Sequence, residues 1–269
     1  MEEGGKLDFG IKNKNVLVTA SSKGIGKAVA EQFAAEGCNI AICSRTKEDL
    51  INTSIEIKKK YGAEVIWCLC DLSKARDIEN TIDIVNSNLG NIDILVNSCG
   101  GPPAGYFQEL DDQKWQNAFE QILLSVVRLC NLVVPGMMVR EWGRIINITS
   151  ISVKQPIENL ILSNSLRNGV VGFAKTLSNE IAKYSITVNN IAPGYTLTNR
   201  LYELAVIRAK TSGRSHEEIL SDMGKEIPMN RLARPEEIAS LAVYLASVQA
   251  SYLTGNTIHV DGGLVKGLY

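Results

Sequence analysis

Short apolar runs alternate with amphipathic stretches along most of the chain. Val16, Leu17 and Val18 form the first run, and apolar residues then recur at helical spacing through positions 28–34. The same alternation predicts further strands at 38–43, 63–70, 92–96, 144–149, 187–191 and 257–260. Strands alternating with helices through short links indicate an α/β fold, with parallel strands and right-handed crossovers.

The helical stretches between these strands differ in length and polarity. Helices are predicted from Lys27 to about Gly37 and at about 46–61, 74–88, 111–139, 159–184 and 235–247, the fourth with a bend near Pro135. The segment at about 196–229 is the most polar long connection, and its mixed charges are typical of a mobile lid over a substrate. No repeat or linker divides the chain, so we expect one domain over 1–269.

The turn after the first strand has the composition of a phosphate site. Residues 19–26 read TASSKGIG and lead directly into a helix. Glycines let the backbone approach a pyrophosphate, and a helix N-terminus offers free N–H groups. An ordinary strand-to-helix turn is the alternative. Polar residues also follow other strands, with Asp71 after the third and Asn97 after the fourth, and ligands of open parallel sheets bind at such ends.

Composition limits the possible partners and compartment. The chain has 269 residues and a formal net charge of -1, so no global field attracts nucleic acid or an anionic membrane. No run approaches the length of a membrane span, and residues 1–10 contain no apolar signal core. Six cysteines in mainly apolar runs indicate buried free thiols in a reducing cytoplasm, and two histidines make a metal site unexpected.

Several motifs in order resemble the short-chain dehydrogenase/reductase family, and within it the 3-oxoacyl-acyl-carrier-protein reductases. They are TASSKGIG at 19–26, CDL at 70–72, NSCG at 97–100, GRIINITS at 143–150, GVVGFAKTLSNE at 169–180, TVNNIAPGYTLT at 187–198 and the terminal DGG. The resemblance implies a single-domain Rossmann-like doubly wound sheet with helices on both faces. It also implies a nicotinamide dinucleotide, carbonyl/alcohol interconversion of a small molecule, and often a homotetramer.

The resemblance also assigns cofactor-binding positions. The turn would contact the pyrophosphate, Asp71 and Leu72 the adenine, Asn97 and Gly100 the space behind the cofactor, and the 193–198 segment the nicotinamide amide. The complete set is Thr19, Ser21, Ser22, Lys23, Gly24, Ile25, Gly26, Ser44, Arg45, Asp71, Leu72, Asn97, Gly100, Pro193, Gly194, Thr196 and Thr198. The family usually has Gly where Ala20 stands.

The second strand and the turn predict cofactor choice. NAD-preferring members usually place an acidic residue after the second strand, whereas this chain has Ser44 and Arg45 there and Lys23 in the turn. Two cations near one 2′-phosphate favour NADP(H) over NAD(H).

The catalytic positions depart from the family pattern. Ser150 matches the usual Ser, but Ser163 stands where the Tyr is expected and Arg167 where the Lys is expected. The usual Asn maps to about Ile122, with Gln121 beside it. An aliphatic hydroxyl is a far weaker acid than a phenol, and arginine stays protonated, so the usual proton path is missing.

Other roles are open for the same residues. Ser150 could cap its strand, Ser163 could lie on a helix surface, and Arg167 could be a solvated or interface charge. Tyr106 and Tyr195 are substitute acids or packing aromatics. The sequence therefore supports an oxidoreductase with a rewired proton path, or an NADP(H)-binding protein that has lost catalysis and acts structurally or in regulation.

The long helices carry more apolar residues than one face needs. We predict that part of this surface is buried between the subunits of a homodimer or homotetramer. The apolar residues concerned are Leu123, Val126, Val127, Leu129, Val133, Val170, Val171 and Leu177.

Overall fold

The fold is organised around one parallel sheet. The computed structural model describes residues 8–268; residues 1–7 and 269, which include most of the N-terminal stretch considered above, lie outside the described part. The strands are β1 (Asn15–Val18), β2 (Asn39–Ser44), β3 (Val65–Leu69), β4 (Ile94–Asn97), β5 (Gly143–Ile148), β6 (Ile186–Pro193) and β7 (Thr257–Val260). Their order is β3-β2-β1-β4-β5-β6-β7, and all neighbours run parallel.

Helices cover both faces of the sheet. They are α1 (Gly24–Ala35), α2 (Lys47–Tyr61), α3 (Ala75–Leu89), α4 (Asp112–Phe119), α5 (Ser125–Val139), α6 (Ile161–Ile181), α7 (Asn199–Ser212), α8 (His216–Lys225) and α9 (Pro235–Ala246). One core joins α1, α2 and α9 to the sheet, and a second joins α3, α5 and α6 to the other face. The doubly wound Rossmann-like α/β fold is confirmed. The chain reverses its direction of winding between β1 and β4, where ligands of such sheets bind.

The predicted helix at 111–139 is continuous but not uniform. A π-helical turn, Glu120–Leu124, separates α4 from α5. By length and composition alone the helix Asp112–Val139 could cross a membrane. However, Ile122, Leu129 and Met137 are fully buried against the sheet, so we assign it as a core helix of this domain.

The polar connection at 196–229 is not an irregular loop. It forms α7 and α8, which pack together through a small core of Leu201, Ala205, Ile219 and Met223. Helix spacing was hidden there by the many charged positions. Ser215 Oγ caps α8 by accepting a hydrogen bond from the backbone N–H of Glu218. The Glu218 carboxylate in turn accepts a hydrogen bond from the backbone N–H of Ser215. Motion of this helix pair as a lid stays a prediction.

The apolar surplus on the long helices is only partly at the surface. Half of the eight residues named above lie in the chain's own core, namely Val126, Leu129, Val133 and Val170. The other half are partly exposed, namely Leu123, Val127, Val171 and Leu177. Apolar area for an interface is therefore smaller than the sequence suggests, because half of these residues pack into the core shared by the helices and the sheet. The oligomeric state stays a prediction.

Candidate active site

One cavity of about 470 Å³ opens at the carboxyl ends of the strands, at the point where winding reverses. Its wall consists of the turn after β1, the segments following β2 to β6, and the first turns of α7. Most predicted site residues line it: Ser22, Lys23, Gly24, Ile25, Gly26, Ser44, Arg45, Asp71, Leu72, Gly100, Ser150, Ser163, Arg167, Pro193, Gly194, Thr196 and Thr198. Thr19, Ser21 and Asn97 do not line it and lie behind it.

The turn after β1 is shaped for close approach of a ligand. Gly24 has φ +60°, and a Cβ on Gly26 would lie 2.5 Å from the carbonyl oxygen of Ala20. Helix α1 begins at Gly24 without a side-chain cap, so its first N–H groups are available to an anion. Ala20 itself has φ +47°, a left-handed conformation that is less favourable for alanine than for glycine. The turn therefore fits a pyrophosphate. Ala20, which stands where the family usually has Gly, is in a strained conformation.

Thr19 and Ser21 support the turn from beneath. Thr19 Oγ1 donates to the carbonyl oxygen of Ser98 at 2.6 Å and accepts from its N–H at 2.9 Å. Ser21 Oγ donates to the Val18 carbonyl oxygen at 2.6 Å and accepts from the Cys43 N–H at 3.2 Å. Both hydroxyls therefore tie the turn to neighbouring strands, and we assign them a supporting role.

Asn97 begins a row of amides across three strands. Its Nδ2 donates to Asn147 Oδ1 at 2.8 Å, and Asn147 Nδ2 donates to Asn190 Oδ1 at 2.8 Å. All three side chains are buried. The row fixes the register of β4, β5 and β6 directly below the cavity. Asn147 and Asn190 were not among the predicted site residues, although asparagines inside the apolar strands GRIINI and TVNNIA were a signal.

The outer end of the cavity carries two cations and one carboxylate. Arg45 is exposed at the end of β2. Lys23 Nζ lies 3.4 Å from Asp49 Oδ2, a pair that the sequence did not predict. Burial raises the pKa of Asp71, but two hydrogen bonds from Ser73, together with Arg45, hold it below its usual value.

The inner end holds the three candidate catalytic residues. Ser150 Oγ accepts from the Ser152 N–H at 3.1 Å and so caps a short 3-10 helix, while still lining the cavity. Ser163 is buried, with its Oγ 3.3 Å from Ser152 Oγ. The placement of Ser163 on a helix surface, left open above, is therefore wrong. Ser152 was not among the predicted catalytic residues, because nothing in sequence sets it apart from its neighbours.

Arg167 is also buried, which excludes a solvated charge. Its Nη1 donates to the carbonyl oxygens of Ile148 at 3.1 Å and Thr149 at 3.0 Å, and its Nη2 to Gly100 at 2.5 Å. Its Nε donates to Ser163 at 3.2 Å. The guanidinium thus joins the segments that follow β4 and β5. Each partner of the guanidinium in the described part of the chain is a neutral oxygen. No carboxylate among these contacts balances the positive charge of Arg167.

The position of the usual Asn is filled differently. Ile122 is buried in the core, whereas Gln121 lines the cavity and donates from Nε2 to the Cys99 carbonyl oxygen at 2.7 Å. Both belong to the π-helical turn, a feature that is frequent at functional sites.

The two tyrosines considered as substitute acids differ in placement. Tyr106 is half-exposed, lies outside the cavity wall and donates from its hydroxyl to Glu158 Oε1 at 2.8 Å. That hydrogen bond raises the pKa of Tyr106, which makes it a weaker acid. Tyr195 lines the cavity and packs against the small core of α7 and α8. Tyr195 is the better placed of the two.

Arg200 is the main residue that sequence analysis missed. It lies on the first turn of α7, lines the cavity and donates from Nη2 to the Pro102 carbonyl oxygen at 2.5 Å. Nothing in the local sequence distinguishes it from other charged residues of the polar segment at 196–229.

The six cysteines are free, and five of them are buried, in agreement with the sequence prediction. Within residues 8–268, no group of three or more His, Cys, Asp or Glu side chains is arranged to hold a metal ion.

Comparison with known proteins places these features in a family. A family model described as enoyl-(acyl carrier protein) reductase matches residues 19–265. The 3-oxoacyl-[acyl-carrier-protein] reductase of Staphylococcus epidermidis is 31% identical over 252 residues, which cover 94% of this chain and 99% of that protein.

Solved structures agree over nearly the whole chain. L-sorbose reductase from Gluconobacter frateurii, in complex with NADPH and L-sorbose, superposes with a TM-score of 0.93 at 36% identity, covering 97% of this chain and 100% of that one. A variant of actinorhodin polyketide ketoreductase with NADPH superposes with a TM-score of 0.91 at 32% identity, covering 95% and 98%.

Proposed function

This chain belongs to the short-chain dehydrogenase/reductase family, and we propose that it is an NADP(H)-dependent oxidoreductase that interconverts a small carbonyl compound and its alcohol. The observation that carries the proposal is one continuous cavity, with the Gly turn at one end and Ser150, Ser163 and Arg167 at the other. When bound, the nicotinamide cofactor supplies or accepts the hydride. The similarity to reductases that were crystallised with NADPH supports this cofactor.

The residues present fit a dinucleotide. The pyrophosphate would lie against the N–H groups of Gly24 to Gly26, where a Cβ on Gly26 would fill the cradle. Asp71 and Leu72 would flank the adenine, and Arg45 with Lys23 would bind the 2′-phosphate. Thr196 and Thr198 line the opposite wall, toward the nicotinamide end.

The chain's own groups at the inner end can orient a carbonyl and stabilise negative charge. Ser150 Oγ lies on the cavity wall and can hydrogen-bond the substrate oxygen. The Ser163 and Ser152 hydroxyls are hydrogen-bonded, so they can pass a proton only if another group supplies it. Arg167 can stabilise an alkoxide by its charge, but it cannot give up a proton at neutral pH.

The same observations support a second candidate, an NADP(H)-binding protein without effective catalysis. Ser163 replaces the usual phenol, and the Arg167 side chain is committed to three backbone carbonyls. A structural or regulatory role would need the cofactor site but would not need a path for proton transfer.

A turnover assay separates the two candidates. Purified protein with NADPH is offered a broad panel of aldehydes, ketones and oxoacyl thioesters, and with NADP+ a matching panel of alcohols, while the nicotinamide absorbance is followed. Turnover that Ser150→Ala reduces by about 10²-fold supports the oxidoreductase. Tight cofactor binding with no turnover on any member supports the second candidate.

We propose in addition that the protein works in the cytoplasm as a homodimer or homotetramer. Unpaired cysteines fit a reducing compartment, and Leu132 and Val139 are exposed on α5, with Val139 at 88%. Light scattering that gives a monomer at micromolar concentration would contradict the assembly.

A further inference from the structure

Arg200 is held in a fixed place at the substrate end of the cavity. Its Nη2 donates to the Pro102 carbonyl oxygen at 2.5 Å, and a Cβ on Gly101 would lie 2.7 Å from its Nε. The guanidinium therefore lies against the insert that follows β4, residues 101–105. Burial lowers the pKa of Arg200, yet an arginine remains a cation at neutral pH.

A second guanidinium lies close by. Arg167 lines the same cavity and holds the carbonyl of Gly100, two residues from the carbonyl that Arg200 holds. Burial is the main cause of the lowered Arg200 pKa, repulsion from Arg167 is a smaller one, and Glu203 opposes both. The described contacts of Arg167 are with neutral oxygens.

The backbone adds to this positive field. Arg200 lies in the first turn of α7, which has no acidic residue although that end of a helix is already positive. Thr198 caps the helix by accepting from the Leu201 N–H at 3.3 Å. A cation at this position is unfavourable unless an anion balances it.

The acids near this end are at its rim. Glu203 Oε2 lies 3.6 Å from Arg200 Nη1, and its side chain is 62% exposed. Glu158 is exposed and accepts a hydrogen bond from the Tyr106 hydroxyl. Solvent screens such exposed charges far more than it screens the buried guanidinium of Arg167. The inner surface is therefore positive.

We propose that Arg200, backed by Arg167, binds the carboxylate of a short oxo- or hydroxycarboxylic acid. This rests on the proposed function, because it assumes that the carbonyl or alcohol substrate occupies this cavity. A guanidinium presents parallel N–H groups that match the two oxygens of a carboxylate. The adjoining walls are apolar and suit a short aliphatic body, being formed by Pro102, Ala104, Leu160, Leu204 and Ile207.

Calorimetry on the protein saturated with NADP+ tests this without turnover. The probes are 2-oxobutanoate, 3-oxobutanoate and 4-oxopentanoate, each paired with its neutral methyl ester. At least one acid should bind about 10-fold or more tightly than its ester, as expected for a charge-assisted pair. Arg200→Gln should abolish that difference without changing NADP+ affinity. Glu203→Gln should enlarge it several-fold, because it removes the competing carboxylate.

Arg76→Gln, at an exposed arginine on α3, is the matched control and should change nothing. The proposal is overturned if esters bind as tightly as acids, or if Arg200→Gln weakens acid and ester equally, since Arg200 would then only position the insert. Failure of NADP+ to bind would refute the proposed function instead. The same titrations on the cofactor-free protein would then decide the carboxylate site.

Discussion

Arg167 Nε donates to Ser163 Oγ at 3.2 Å, across one turn of α6. The two residues stand where the family usually has Lys and Tyr, and both face the cavity. The helix therefore still directs a pair of side chains at the substrate end, as spacing of four predicts. What has changed is the chemistry of the pair, because neither member can donate a proton efficiently.

Restoring the pair should raise turnover. The double change Ser163→Tyr with Arg167→Lys should increase the rate on simple oxoacyl or diketone substrates by about 10²-fold or more, since general acid catalysis contributes that much. NADPH affinity should stay within about twofold, because the cofactor contacts lie elsewhere. Nicotinamide absorbance measures the first, and fluorescence titration the second.

The control for that experiment is Ser163→Phe with Arg167→Lys, which adds the ring without the phenol. It should give no gain. An equal gain from the Phe variant would show that cavity shape, and not proton donation, limits the protein. If the unmodified protein already matches a family member with Tyr and Lys, another group donates, and Tyr195→Phe is the next variant.

Ala20→Gly should stabilise the fold. Ala20 has φ +47°, and the left-handed conformation costs a non-glycine residue about 1 kcal/mol. Urea unfolding should show a free energy of unfolding higher by about that amount. Ala28→Gly, inside α1, is the control and should lower the free energy of unfolding by about 1 kcal/mol or more. A destabilised Ala20→Gly would contradict the assignment of strain.

Cofactor choice should depend on Arg45 and on the release of Lys23 from Asp49. Arg45→Gln should weaken NADP(H) binding by about 10-fold and leave NAD(H) binding unchanged, because only NADP(H) carries the 2′-phosphate. Asp49→Asn should tighten NADP(H) binding a few-fold at low salt, since Lys23 loses its partner, and this gain should shrink at high salt.

Asp83→Asn, at an exposed carboxylate on α3, is the control for the charge change and should have no effect. Fluorescence titration of both cofactors measures these affinities. Binding of NAD(H) that equals or exceeds that of NADP(H) in the unmodified protein would refute the preference.

Buried thiols should make the fold sensitive to alkali. Burial raises the pKa of Cys38 and Cys130 to about 12 and that of Cys68 to about 11, from a usual value near 9. Above about pH 9 the unfolded chain loses these protons first, so stability falls as pH rises toward the folded-state values, by up to about 1.4 kcal/mol per unit for each thiol.

Urea unfolding at about pH 8 and about pH 10 measures that loss. Cys130→Val should reduce the difference between the two pH values, because it removes one of the three thiols. Cys99→Ser, at a partly exposed cysteine, is the control and should leave the difference unchanged. An unchanged difference in Cys130→Val would exclude the Cys130 thiol as a cause.

The sequence alone determined the fold and the end of the sheet that carries the site. Strand and helix periods are local, so the alternation was visible without tertiary information. The glycines of the β1 turn and Asp71 marked strand ends, and parallel strands bring such ends to one edge. The helices α7 and α8 were missed because their apolar faces are short and interrupted by charge.

Only the tertiary structure decided what the polar side chains contact. The burial of Ser163 and Arg167 depends on which face of α6 packs against β6, and helical spacing does not specify that face. Arg200 meets Pro102 across 98 positions of sequence, and Asn97 meets Asn147 across 50. Such pairs form because separate elements pack at fixed distances, so their partners depend on the whole fold and not on local pattern.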